Sequence, residues 1–231
     1  MLLTAEEVEI IFLSLRVSLV AILVSLPIAF ALAWVLARSR MPGKFILDAL
    51  VHLPLVLPPV VTGWLLLIAF GVTGPVGHLL QHWFGVTLIF RWTGAALAAS
   101  IMALPLMVRA IRLALEAVDP RLENAARTLG AKPWTCFRTI TLPLTLPGIA
   151  AALVLGFARS LGEFGATITF VSNIPEETRT LPLAIYTALQ SPTGDLLVWR
   201  LSVISIMLAI GALLIAEWFA RSYRPARDHV V

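Results

Sequence analysis

The chain has 231 residues, 59% of them hydrophobic and 13% charged, with a formal net charge of +4. A soluble domain carries about 25% charged residues, so a water-covered globule is excluded. The basic excess is better explained by positive residues gathered on one side of a membrane than by nucleic-acid binding, and the single cysteine, Cys136, excludes an intrachain disulfide and a cysteine-based metal site.

The opening MLLTAEEVE is acidic where a cleavable signal is positive, so the first apolar segment is expected to stay in the mature protein. A helix needs roughly 20 mostly apolar residues to cross the hydrocarbon core, and in lipid every backbone group must bond internally. The first predicted span is Glu9–Ala37, with Arg16 near one end, where it can snorkel to the interface. The second is Phe45–Phe70, with Asp48 and His52 one turn apart and placed for a local hydrogen bond. Residues 71–91 read as a loop with a short interfacial helix. The third span is Trp92–Leu115, the fourth Thr145–Val171 and the fifth Leu197–Ala220. Residues 182–190 are apolar but too short to cross, which favours a short outer helix over a sixth span. Alternation every second residue, the mark of a transmembrane barrel, is absent. The fold class expected is therefore an all-α integral membrane protein of about five spans. It forms one transmembrane domain over residues 1–231, with its core at about 9–220.

Arg38, Arg40 and Lys44 follow the first span. Arg109, Arg112, Arg121, Arg127, Lys132 and Arg138 surround the third connection, and Arg221, Arg224 and Arg227 follow the last span. The other side holds Arg91, Arg179 and Arg200 among six carboxylates: Glu6, Glu7, Glu9, Glu176, Glu177 and Asp195. The positive-inside rule then places the N-terminus outside and the C-terminus in the cytoplasm. Pro27, Pro54, Pro58, Pro59, Pro105, Pro143 and Pro147 fall within or beside spans. Each removes a backbone donor and favours a kink.

The third connection, residues 116–144, interrupts the apolar chain with ENAARTLGAKPWTCFRTITLP. Asp119 suits a cap and Pro120 a first turn. Gly130 suits a left-handed end. Leu122, Ala125, Ala126 and Leu129 fall at i, i+3, i+4 and i+7, a narrow apolar stripe. Such a helix can rest among lipid headgroups, but small residues fit a protein groove better.

This stretch resembles the cytoplasmic Glu-Ala-Ala loop of binding-protein-dependent ABC importer permeases. Ala125, Ala126, Gly130, Ile140, Leu142 and Pro143 match its register. The family's glutamate falls on Asn124, with Glu123 one residue early, so either of the two is a candidate for the acidic coupling contact. HLPLVLPPVVTG (52–63), PLMVRAIRLALE (105–116) and ARSLGEFGATITFVSNIPEETRT (158–180) resemble the permease subunits of molybdate importers. Sulfate, thiosulfate and tungstate permeases are the close alternatives. The resemblance implies a type I ABC importer permease fold with a cytoplasmic coupling helix. It also implies a homodimer in the bacterial cytoplasmic (inner) membrane, served by two cytoplasmic ATPase subunits and an extracytoplasmic molybdate-binding protein. No nucleic acid is implied as a partner. ATP and Mg would belong to the ATPase, since this chain has no G-x-x-x-x-G-K-[ST] phosphate loop. The chain itself is then not an enzyme.

Arg159 and Glu163 stand at i, i+4 with Gly162 and Gly165 beside them. Intramembrane charges are expensive and default to functional candidates, so these four mark the pathway or the dimer axis. The alternative is a pair that neutralises itself and positions a kink. Thr62, Thr167, Thr169, Ser172 and Asn173 are candidate hydrogen-bond donors for a tetrahedral oxyanion. No His/Cys/Asp/Glu cluster has metal-ligand spacing, so no metal is expected to be ligated. A secondary anion transporter is the rival reading, with only Arg159 and Glu163 deep enough to relay a proton.

Overall fold

The computed structural model describes residues 3–39 and 41–222. Arg40, Arg224 and Arg227 of the inner charge set lie outside those residues. The described residues form helices joined by short turns, with no strand among them.

The first helix, α1 (Ala5–Arg38), starts earlier than hydropathy predicts because Thr4 and Glu7 form a reciprocal capping box. The Glu7 amide donates to Thr4 Oγ1 at 3.3 Å, and the Thr4 amide donates to Glu7 Oε2 at 2.7 Å. Its 34 residues rise about 1.5 Å each. A length of about 50 Å exceeds the hydrocarbon core of about 30 Å and carries Arg38 to the far end of the bundle.

The predicted second span is two helices, α2 (Lys44–Val56) and α3 (Pro59–Phe70), bent by 112°. The cause is the consecutive Pro58 and Pro59. A residue before proline is pushed out of the helical region, and Leu57 and Pro58 are both extended. The short helix predicted within residues 71–91 is α4 (Pro75–Phe84).

Next comes α5 (Trp92–Glu116), buried along most of its length. Ala95, Ala96, Ala98, Ala99 and Ala103 line its buried face, and small residues let neighbouring backbones approach. Polar bonds then hold α1 and α5 together. Ser100 Oγ donates to the Ala21 carbonyl at 3.2 Å, and Ser25 Oγ donates to the Ser100 carbonyl at 3.3 Å. Met102, Met107, Ile111 and Leu115 fill the core against Val17, Ile22, Ala33 and Leu36 of α1.

After α6 (Pro120–Thr128), α7 runs from Pro133 to Leu161. Residues Phe137–Thr141 within it form a π turn, in which the Leu142 amide donates to the Phe137 carbonyl five residues back. Pro143 lacks a donor, and its ring opposes the carbonyl four residues earlier. A π turn is one way for a helix to absorb such an insult. The predicted fourth span, Thr145–Val171, is thereby corrected: its helix begins at Pro133 and ends at Leu161. A separate helix, α8 (Gly165–Val171), follows the break.

The short segment at 182–190 is α9 (Leu181–Leu189). The last helix is α10 (Asp195–Ser222), which leaves most of its described apolar surface uncovered.

Candidate functional site

Two places hold the residues that the sequence singled out. The first is α6 and the start of α7. Asp119 Oδ1 accepts from the Arg121 amide at 2.8 Å, and Pro120 opens the helix. At the other end Gly130 has φ +87°. The Ala131 amide reaches the Ala126 carbonyl at 3.0 Å, the six-to-one bond of a Schellman end.

The faces of α6 are sharply divided. Leu122 is 48% exposed and Leu129 89%. Asn124 and Ala125 are also exposed, and Ala126 is half-buried. The apolar stripe therefore points away from the rest of its own chain. Glu123 points the other way and is buried. Its carboxylate accepts from both terminal nitrogens of Arg38, at 2.8 and 3.2 Å, and from Thr141 Oγ1 at 2.8 Å. The buried Cys136 thiol lies 3.8 Å from the Glu123 carbonyl oxygen. Ile140 and Leu142 are half-buried in and beside the π turn, and Pro143 is exposed. Phe137 sets its ring edge-on to Trp34 of α1 at 5.3 Å.

Sequence reading missed Arg38 and Thr141 as members of this group. Arg38 counted only as one more inner charge. Thr141 occupies the unspecified position between Ile140 and Leu142.

The second place is the junction of the two broken spans. Glu163 lies in the break between α7 and α8 and is buried. One carboxylate oxygen pairs with Arg159 Nη1 at 2.6 Å, and the other accepts from the Ala166 amide at 2.8 Å. Glu163 thus neutralises Arg159 and caps α8, the kink-positioning role considered above. Against this break stands the other one. A Cβ on Gly165 would lie 2.7 Å from Pro59 Cβ. A Cβ on Gly63 would lie 2.6 Å from the Ala166 carbonyl oxygen. Both glycines are needed for α3 and α8 to approach this closely. Gly162 ends α7 just before the break.

The candidate donors divide. Thr62 is buried in α3 with its hydroxyl unpartnered. Thr167 is buried in α8, and Thr169 donates to the Gly165 carbonyl at 2.9 Å. Ser172, at φ +64°, accepts from Thr178 Oγ1 through its carbonyl at 3.1 Å. Asn173 donates to Thr187 Oγ1 at 2.6 Å and accepts from Arg179 Nε at 3.2 Å. Ser172 and Asn173 therefore belong to the turn that joins α8 to α9. Beside the junction lies a cleft of about 520 Å³, walled by Leu161, Phe164, Pro182, Ile185 and Tyr186. Its apolar walls offer little to an oxyanion.

Elsewhere, Arg16 lies over the Trp92 ring at 3.8 Å, a cation–π contact within the protein. His52 Nδ1 lies 2.8 Å from the Asp48 carbonyl oxygen, and the Asp48 carboxylate pairs with Arg112 at 2.9 Å. Among the described residues no three His, Cys, Asp or Glu side chains gather as a metal site.

Known proteins resemble this chain in sequence and in fold. Residues 25–225 match the family described as binding-protein-dependent transport system inner membrane component. The molybdenum transport system permease protein ModB of Escherichia coli (strain K12) is 61% identical over 224 residues, covering 97% of this chain and 98% of that one. Its namesake in Haemophilus influenzae is 54% identical over 215 residues, covering 93% and 94%. The sulfate transport system permease protein CysT of Escherichia coli (strain K12) is 41% identical over 159 residues, covering 69% and 57%. The inward-facing MetNI methionine ABC transporter superposes with a TM-score of 0.73 at 18% identity, covering 94% of this chain and 96% of that chain. A bacterial alginate ABC transporter, solved with its alginate-bound periplasmic protein, gives 0.71 at 23% identity, covering 99% and 82%. Those two likenesses establish the type I ABC importer permease fold. The chain belongs to the family of binding-protein-dependent transport system inner membrane components.

Proposed function

We propose that this chain is the transmembrane subunit of an ATP-driven importer of molybdate. One observation carries the coupling half of that reading: α6 is held by its acidic face and displays its apolar stripe outward. A helix so arranged is built to enter a groove in another protein. The substrate half rests on identity to relatives named for molybdenum transport.

In this reading two copies of the chain enclose the pathway. A cytoplasmic ATPase receives each α6, and an extracytoplasmic binding protein delivers the oxyanion. The N-terminus faces out, the C-terminus faces the cytoplasm, and the complex sits in the bacterial inner membrane. ATP and Mg bind the ATPase, and its closure is transmitted through α6 to α5 and α7, the helices that the connection joins. Glu123, Asn124, Ala125, Ala126, Gly130, Ile140, Leu142 and Pro143 form the coupling segment, with Asn124 rather than Glu123 on its outward face. Arg159, Gly162, Glu163 and Gly165 set the junction where the two broken spans meet, and the buried Thr62 of α3 and Thr167 of α8 are the candidate pathway donors nearby. Molybdate is a tetrahedral dianion, held by hydrogen-bond donors rather than ligated.

The test is purification of the full-length chain with its ATPase, followed by uptake of labelled molybdate into vesicles supplied with binding protein and ATP. ATP-dependent uptake that tungstate competes with, and sulfate does not, is the expected result. Uptake that survives ATP depletion and follows a proton gradient would mark a secondary transporter instead.

A further inference from the structure

We infer that Glu123 is a positioning residue, paired within the chain to Arg38, that makes α6 move with the inner end of α1. The inference rests on the reading of α6 as the helix that docks to the ATPase. It adds a route for the force that the covalent path to α5 and α7 does not supply.

The geometry is specific. Arg38 ends α1, and its two terminal nitrogens meet the two carboxylate oxygens of Glu123 as a fork. A bidentate guanidinium–carboxylate pair fixes direction as well as distance. Thr141 Oγ1 adds a third donor from the π turn. Glu123 is 8% exposed as a residue, so water competes weakly for it, and an ion pair so placed is screened less than a surface pair. Among the described residues, three polar contacts tie α6 to other elements through Glu123: those with Arg38, Thr141 and Cys136.

A single residue thus joins α6, α1 and the π turn of α7. The span it recruits, α1, packs along α5 through both main core clusters. A displacement of α6 is therefore delivered to the centre of the bundle, rather than absorbed by flexing of the connections at residues 117–119 and 129–132. Asn124 and the stripe residues stay free for the partner.

Three variants test this in the full-length complex: Glu123→Gln, Arg38→Ala and the swapped pair Arg38→Glu with Glu123→Arg. Molybdate uptake and ATP hydrolysis are measured in the same vesicles. Glu123→Gln and Arg38→Ala should lower molybdate moved per ATP about fivefold or more, while the ATPase still copurifies. The swap should recover part of that ratio, as a direct pair requires, and transport per ATP with the ATPase still bound is a reading that a merely structural role would not move. Loss of the copurifying ATPase in Glu123→Gln would show that Glu123 contacts the partner and would overturn the inference; so would an unchanged ratio. Amide hydrogen exchange of residues 120–128 in the purified chain gives a second reading without transport. Protection there should fall about tenfold or more in Arg38→Ala, with residues 92–116 unchanged. Equal protection overturns the tether whatever the wild type carries. A wild-type complex that moves no molybdate overturns the functional reading and leaves the exchange result standing.

Discussion

Gly130 shows how one backbone angle can matter more than contacts. It sits at φ +87°, and a Cβ there would meet nothing within 4 Å. Space is therefore no obstacle to substitution, and the penalty lies in the backbone. A β-branched residue in the left-handed region is strained by roughly 1–2 kcal/mol, whereas asparagine tolerates that region. Gly130→Val should therefore re-aim or fray the end of α6 and lower ATP-driven uptake several-fold, with normal membrane insertion. Gly130→Asn should stay near wild type. Uptake assays on membranes with matched protein levels check both, and equal uptake in all three proteins would remove Gly130 from the coupling role. Glu123 is the contrasting residue. Sequence left it interchangeable with Asn124 as the acidic contact. Burial separates them, because one carboxylate is paired inside while the amide faces out.

Among the elements, α6 was legible in the sequence nearly to its ends. Asp119, Pro120 and Gly130 are local signals, and local signals act through neighbours in the chain. Its stripe was legible as well, but not which way it points. A charged group at position 129 would leave the helix cap and the Glu123–Arg38 pair untouched while opposing burial in an apolar groove. Leu129→Asp should therefore cut the copurifying ATPase by tenfold or more without destabilising the permease. Pull-down stoichiometry and thermal melting together check this; full ATPase recovery would mean that the stripe meets lipid instead. The π turn and the two helix breaks were less legible. Proline signals a kink, yet Pro27 and Pro105 lie inside continuous helices, whereas Pro58 and Pro59 accompany a 112° bend. The difference is local, because the consecutive prolines hold Leu57 and Pro58 extended. The bend is held where Gly63 and Gly165 let α3 and α8 meet.

The whole molecule has a buried axis, α5 with α1 against it, and an outer helix, α10, that leaves most of its described apolar surface open. Lipid or a second copy of the chain covers such a surface in the proposed assembly. The distribution of charge predicts an outer N-terminus and a cytoplasmic α6. Single cysteines placed at residue 4 and at residue 129, in a chain with Cys136→Ser, should react with a membrane-impermeant maleimide from opposite sides. Residue 4 should label in intact cells and residue 129 only after lysis. The reverse pattern would invert the topology drawn from the positive-inside rule.

Composition determined that the chain is membrane-embedded, because too few charges are present to cover a soluble surface, and the absence of two-residue alternation determined that its spans are helices rather than barrel strands. Apolar run length located the spans, and local capping chemistry located α6. Only the tertiary structure decided that the breaks in two predicted spans meet, that the stripe of α6 faces outward and that Glu123 belongs to Arg38. Each of those depends on residues far apart in the chain, Glu123 and Arg38 being 85 positions apart. Neither composition nor periodicity encodes which distant partner a buried charge will find.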